Sequence, residues 1–292
     1  MNRIIDAHHH IWNLAAAEYS WLGPEAGPLF RSFDIDETAA ARRSRGIDAV
    51  ILVQAADNDD DTAHLLSVAS ARSDVAGVVA WTPLDDPEGT HRRLSTWAQQ
   101  NAPVVGIRSL IHEREDTSWI LSPAVEEGLR AITDAGMPLD YVTADHTALA
   151  HLPELTAQHP DLVVVIDHLA KPPIGGDRDA FDDWRRLLLA AARSPRVHAK
   201  VSGLYPADGP LDKWQTDDVR PFVEEAIEIL GPSRLLMGSD WPIAELAGGY
   251  ERTWDALAST VASLSESERR DVMGGTADRV YAPRGVTRGT SS

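Results

Sequence analysis

The stretch Ala49–Trp81, AVILVQAADNDDDTAHLLSVASARSDVAGVVAW, decides the fold. It opens on a short apolar run, Ala49–Gln54, and closes on another, Val75–Trp81. Runs this short, rich in Val and bounded by polar residues, read as strands buried on both faces. Between them Thr62–Arg72 has apolar residues at helical spacing. A strand, a helix and a second strand in that order imply parallel pairing, because the crossover helix returns the chain to the same end of the sheet.

The pattern continues in both directions. Upstream lie a strand at Arg3–Ala7 and a helix at Asp36–Arg45. Downstream, strands at Val104–Arg108, Met137–Val142, Leu162–Asp167, Val197–Ser202 and Leu235–Gly238 alternate with helical stretches. These are Pro87–Gln99, Ser122–Ala135, Thr147–His159, Asp179–Arg193, Asp217–Leu230 and Tyr250–Leu264. Ser122-Pro123 reads as an N-cap before a first-turn proline, and Gly46, Gly136 and Gly231 as helix stops. Repeated βα units in this number predict a (β/α)8 TIM barrel. A doubly wound open sheet is the runner-up, but no Gly-rich phosphate loop follows the first strand. One barrel domain is expected over 1–283, with Glu266–Tyr281 as a last helix beneath or beside it. The Gly/Ser/Thr-rich segment 284–292 reads as a flexible tail.

Composition narrows the function. The 292 residues carry 27 basic and 45 acidic side chains, a formal charge of −18. That balance argues against nucleic acid or an anionic membrane as partner, since phosphate binding needs a basic face. No cysteine is present, which removes disulfides, thiolate-held metals and a thiol nucleophile. The start, MNRIIDAHHHIWNL, does not have the form of a signal peptide, and no apolar run is long enough to span a bilayer. A cytoplasmic protein acting on a small molecule is the expectation, with homo-oligomerisation left open.

In a barrel, chemistry gathers at the C-terminal strand ends. Strand 1 ends in Asp6-Ala7-His8-His9-His10, and His8 and His10, two apart, point to the same side. Gln54, Trp81 and Arg108 end strands 2 to 4, and Asp140-Tyr141 lies in strand 5. Strand 6 ends in Asp167-His168, followed by Lys171; Lys200 lies in strand 7; strand 8 ends in Ser239-Asp240-Trp241-Pro242. Singly, each has a structural explanation: a turn aspartate, a packed tryptophan, an ion-paired arginine. Their coincidence at one end of one barrel points to a site. Imidazoles and a carboxylate can hold a divalent cation, the carboxylate can deprotonate water, and an imidazolium or another cation can stabilise an oxyanion. This describes hydrolysis at a carbonyl by water. No Gly-x-Ser-x-Gly elbow supports a serine nucleophile.

DAHHHIW at strand 1, GIRSL at strand 4, DHLAKPP at strand 6, KVSGL at strand 7 and GSDWP at strand 8 resemble the amidohydrolase superfamily. They are similar to its branch of sugar-lactone and pyrone-dicarboxylate lactonases, over about residues 3–282. The resemblance implies a (β/α)8 barrel and a lactone-opening hydrolase, with a sugar-acid lactone as substrate class. It implies Asp240 as general base, with His8, His10 and His168 around the reacting carbonyl. It implies Arg108 and Lys200 as holders of the substrate, and Gln54, Trp81, Tyr141 and Trp241 as shapers of its pocket, with Lys171 also contacting substrate. The bridging strand-4 group and strand-5 histidine of two-metal members have no counterpart here. No obligatory metal is expected; the alternative is one divalent metal, zinc first, on His8, His10, His168 and Asp240. A competing activity is metal-dependent decarboxylation of an aromatic or muconate-type acid on the same barrel. The loop Glu18–Arg31 (EYSWLGPEAGPLFR) reads as a cover over the barrel mouth or as a packed surface loop.

Overall fold

The computed structural model describes residues 3–206 and 213–282. The tail expected at 284–292 lies outside the described residues, as does part of the loop between Tyr205 and Trp214. Eight parallel strands form one sheet in chain order: β1 (Ile5–His9), β2 (Ala49–Val53), β3 (Val75–Ala80), β4 (Val104–Ser109), β5 (Leu139–Tyr141), β6 (Val164–Ile166), β7 (Val197–Val201) and β8 (Leu235–Met237). A parallel bridge between His9 and Trp241 joins the last strand to the first. There the His10 N–H donates to the Trp241 carbonyl (2.7 Å), and the Asp240 N–H to the His8 carbonyl (2.9 Å). The expected (β/α)8 barrel is therefore what forms.

Apolar residues sort into two layers. Ile5, Ala7, Ile51, Val53, Val79, Val165 and Leu236 fill the barrel interior, with Ala277 and Tyr281 against them. The larger layer lies between strands and helices and includes Val50, Leu52, Leu65, Trp184 and Val223. Each such side chain contributes roughly 1.5–3 kcal/mol by leaving water.

The helices are α1 (Ala39–Ser44), α2 (Asp59–Ser70), α3 (Pro87–Gln100), α4 (Pro123–Asp134), α5 (Leu152–Gln158), α6 (Arg178–Ala191), α7 (Thr216–Leu230), α8 (Tyr250–Thr260), α9 (Glu266–Arg270) and α10 (Thr276–Val280). α2 starts earlier than its apolar spacing suggests, because the Asn58 side chain caps it by accepting from the Asp61 N–H (2.8 Å). Asp59, Asp60 and Asp61 then occupy its first turn, where the helix dipole favours negative charge. Ser122 stands at the N-cap of α4 but makes no side-chain capping bond. The helix expected over Asp36–Arg45 splits into a 3-10 turn, Ile35–Thr38, closed by an Asp34–Glu37 capping box, and α1. The one expected over Glu266–Tyr281 breaks at a π turn, Asp271–Gly275. Gly274 passes against β1 so closely that a Cβ there would lie 2.1 Å from the Arg3 carbonyl oxygen. This contact seats α10 and Tyr281 at the N-terminal end of the barrel. No helix among the described residues is long and apolar enough to cross a membrane.

Candidate active site

β1 is bulged between Asp6 and His9. His8 and His10 nonetheless meet, their Nε2 atoms 2.9 Å apart. His10 is oriented by a contact of 2.7 Å from its Nδ1 to the Val53 carbonyl oxygen. After β8 the backbone turns left-handed at Asp240 (φ 59°). Asp6 secures that turn: it accepts from the Ser239 N–H (2.8 Å), the Ser239 hydroxyl (2.7 Å) and the Tyr250 hydroxyl (3.1 Å). After β6, four successive non-glycine residues, His168 to Lys171, have φ between 50° and 61°. Left-handed backbone costs roughly 1–2 kcal/mol per residue, so the surroundings must hold this turn. The Leu169 carbonyl accepts from the Trp184 indole (2.9 Å), and His168 Nδ1 lies 2.9 Å from the Ser202 hydroxyl. Both turns place functional side chains where a regular strand end could not.

The result is convergence on one oxygen. Asp240 Oδ1 lies 3.7 Å from His8 Nε2, 3.8 Å from His10 Nε2 and 3.7 Å from His168 Nε2. Above it opens a cavity of about 390 Å³. His10, His168, Asp240, Arg108 and Lys171 line it together with Trp12, Trp21, Leu110, His112, Glu113, Val142 and Ile243.

Burial sets the protonation states. It pushes His8 down to about 3, helped by the Lys200 charge. It holds His10 and His168 well below the usual imidazole range, helped by Arg108 and by Lys171 respectively. All three are neutral at pH 7, each with one N–H and one lone pair; His10 Nδ1 donates to the Val53 carbonyl, so its Nε2 is the acceptor facing His8 Nε2. The imidazolium considered from sequence as an oxyanion partner is thus replaced by neutral ligand-type nitrogens. Burial pushes Asp240 the other way, up to about 7, against the pull of Lys171 and Arg108.

An amidohydrolase family model matches residues 5–282 of this chain. The chain belongs to the amidohydrolase family. The L-fucono-1,5-lactonase of Burkholderia ambifaria is 32% identical to it over 284 residues, covering 95% of this chain and 94% of the relative. An amidohydrolase from Burkholderia multivorans with bound zinc superposes with a TM-score of 0.89 at 29% identity, covering 96% of this chain and 99% of that one. The 5-carboxyvanillate decarboxylase of Sphingomonas paucimobilis shares the fold, with a TM-score of 0.66 at 15% identity over 96% of this chain and 99% of that one.

Against this amidohydrolase frame the residues expected from sequence divide. His10, His168, Asp240, Arg108 and Lys171 face the cavity, and His8 closes its floor, fully buried. The other five do not line the cavity. Lys200 lies beneath it, bonded to Asp140. Gln54 carries Arg108 rather than substrate: its side-chain amide donates to the Arg108 backbone carbonyl (3.0 Å), and its backbone carbonyl accepts from the Arg108 guanidinium. Tyr141 packs outside the barrel wall, its hydroxyl donating to the Ala148 carbonyl (2.9 Å). Trp81 lies under the Arg93 guanidinium, and Trp241 packs edge-on to Phe33. Arg108 has little left for a ligand, since it also pairs with Asp167 (3.1 Å). Lys171 makes only a long contact to the Gly203 carbonyl (3.5 Å) and meets no carboxylate among the described residues. The loop Glu18–Arg31 does reach the mouth, where the Trp21 indole donates to the Ala55 carbonyl (2.7 Å).

Sequence reasoning assigned no role to Asp6, Asp167 or Trp12, and placed His112 only at the start of a specificity loop, His112–Ile120. Asp6 and Asp167 sit inside the quoted motifs, so their positions were visible although their partners were not. His112 and Trp12 lie on irregular segments, with no periodicity to aim them.

The donor set fits a divalent cation. His8, His10 and Asp240 each offer a ligand atom within 4.8 Å of the others, as do His8, Asp167 and His168, and all five residues are buried. Asp167 Oδ1 stands 3.2 Å from His8 Nδ1, and the Lys200 ammonium lies 3.0 Å from the same nitrogen.

Proposed function

We propose that this amidohydrolase opens the ring of a sugar-acid lactone with water, in the manner its fuconolactonase relatives' name implies. The observation that carries this is the Asp240 carboxylate, raised to about 7 and ringed by three neutral imidazoles at the floor of a small-molecule cavity. Asp240 is placed to take a proton from water and return it to the leaving oxygen within one turnover. In the first step water adds to the lactone carbonyl while Asp240 takes its proton. In the second, the ring C–O bond breaks and the alkoxide leaves with a proton, giving the open hydroxy acid. Lys171, the uncommitted cation at the cavity wall, stabilises the negative charge that develops on the substrate. Trp21, Leu110, Val142 and Ile243 supply apolar walls that keep bulk water from the ring.

His8, His10, His168 and Asp240 would hold a single zinc ion. When bound, it would supply Lewis acidity at the carbonyl. The zinc-bound Burkholderia multivorans relative supports that choice of metal. The decarboxylase neighbours share 15–17% identity with this chain, a likeness that supports the fold and not that activity.

The test is turnover of a panel of aldonolactones, with and without added zinc, by the wild type and Asp240→Asn. Acid release by the wild type and a loss of about 10²–10⁴-fold in the variant are expected for a missing general base. An Asp240→Asn protein with near wild-type turnover, or CO₂ release without lactone opening, would refute the proposal.

A further inference from the structure

The cavity has two unlike sides. In the ring of eight strands, β4 and β5 stand opposite β8 and β1. On the β8–β1 side the wall is Ile243, Trp12 and Trp21. The Trp12 indole donates to the Arg31 carbonyl (2.6 Å) and the Trp21 indole to the Ala55 carbonyl (2.7 Å), so this side offers carbon only. On the β4–β5 side the polar residues of the wall are Arg108, His112, Glu113 and Thr143. Arg108 is committed to Asp167 and Gln54, and Glu113 is exposed to solvent. His112 and Thr143 remain, and neither side chain bonds any described residue. His112 belongs to a 3-10 turn, Ile111–Glu113, just after β4. That turn is held firmly: the Leu110 N–H donates to the Asp57 carboxylate (3.0 Å), and Ile111 is fully buried. His112 Nδ1 is enclosed without a partner, which leaves Nε2 to a ligand. Burial, helped by the Arg108 and Lys171 charges, pushes His112 down to about 4, so at pH 7 the neutral ring has one donor and one acceptor. Thr143 follows β5, is 2% exposed, and its hydroxyl is enclosed without a partner. A χ1 rotamer change exchanges that hydroxyl with the methyl group and breaks no hydrogen bond. Enclosed polar atoms left unpaired are costly, and each calls for an explanation; these two lie in one cavity wall.

We propose that His112 and Thr143 are specificity-determining residues that bind hydroxyl groups of the lactone ring, while the Trp21–Ile243 side receives an edge of the ring that carries none. A hydroxyl both donates and accepts, as do a neutral imidazole and a threonine. A carboxylate substituent only accepts, and on this side it meets only the already paired Arg108. The site therefore selects a neutral, polyhydroxylated lactone. The proposal rests on the lactone-opening reading above, and adds which part of the ring each side recognises.

The test has two arms on the full-length protein. Calorimetric titration compares a panel of polyhydroxylated δ-lactams of differing configuration, which resist hydrolysis, with the unsubstituted δ-lactam. Steady-state turnover compares the matching lactones with δ-valerolactone. The wild type should bind at least one hydroxylated lactam more tightly than the bare ring. Thr143→Val and His112→Phe should each weaken that lactam about 5- to 150-fold, the range for leaving a buried polar group unpaired, and leave the bare ring unchanged. kcat/KM for the matching lactone should fall by the same factor, while that for δ-valerolactone holds. Thr143→Ser and His112→Gln keep a hydrogen-bonding group and should recover most of the loss. Thr143→Val breaks no hydrogen bond among the described residues, so its Tm should hold. A purely structural role predicts instead equal losses on hydroxylated and bare rings, with a lowered Tm. That outcome, or a wild type that binds no hydroxylated lactam more tightly than the bare ring, overturns the proposal. If the lactams bind as expected but no lactone opens, the hydrolytic reading fails by itself and the hydroxyl recognition stands.

Discussion

Gly203, in the KVSGL motif, lies where two demands meet. Its backbone is left-handed (φ +57°), and a Cβ added there would stand 2.4 Å from His168 Nδ1 and 2.6 Å from Asp240 Oδ2. Ordinary contact begins at 3.4 Å, so Gly203→Ala must displace the His168 ring by about 1 Å and Asp240 by slightly less. A misplacement of about 1 Å can cost on the order of 10²-fold in rate, and that loss in kcat is expected. The backbone strain adds roughly 1–2 kcal/mol of destabilisation, which for a chain of this size lowers Tm by only a few degrees. Gly46→Ala is the control: its φ is +66°, yet nothing lies within 4 Å of the added Cβ. It should show the same small Tm shift with unchanged kcat. The assay is steady-state lactone hydrolysis beside thermal unfolding of both variants. Full turnover in Gly203→Ala, or an equal loss in Gly46→Ala, would show that the glycine serves the turn and not the site.

Two further outcomes follow from individual side chains. Lys171→Met removes the cation at the cavity wall; a charged hydrogen bond contributes about 1.5–3 kcal/mol, so lactone opening should slow by about 10- to 100-fold. An aryl ester, whose leaving group needs no such help, should be affected far less if Lys171 assists the departing alkoxide; equal losses on both substrates would assign Lys171 to the first step instead. Asp61 is raised from 3.8 to about 6 by burial beside the Tyr19 hydroxyl (2.8 Å). A carboxyl raised on folding stabilises the native state below its unfolded pKa, and that contribution is lost as pH rises through the folded value. Urea unfolding should therefore show the wild type losing on the order of 3 kcal/mol relative to Asp61→Asn between about pH 4 and pH 7. A difference between the two that does not vary with pH would contradict the assignment.

Much of the site was legible because a strand repeats every two residues and a barrel puts its chemistry at one end. His8, His10, His168 and Asp240 needed no coordinates to be grouped. Lys200, Tyr141 and Trp81 do not line the cavity, because periodicity tells which face a side chain occupies but not its depth. Lys200 lies one layer below the cavity, and Tyr141 faces the helices.

What the sequence determined by itself was the alternation of eight strands and helices, and with it the barrel and the end at which its chemistry lies. Local pattern suffices for these, since burial on both faces and helical spacing are written in consecutive residues. Only the tertiary structure decided which cavity cation meets no carboxylate among the described residues, that the three histidines are neutral, and that Tyr281, Asp140 and Lys200 stand in file behind His8. Those properties depend on desolvation and on partners up to some 270 residues away in sequence, the distance that separates Tyr281 from His8. No local window contains them.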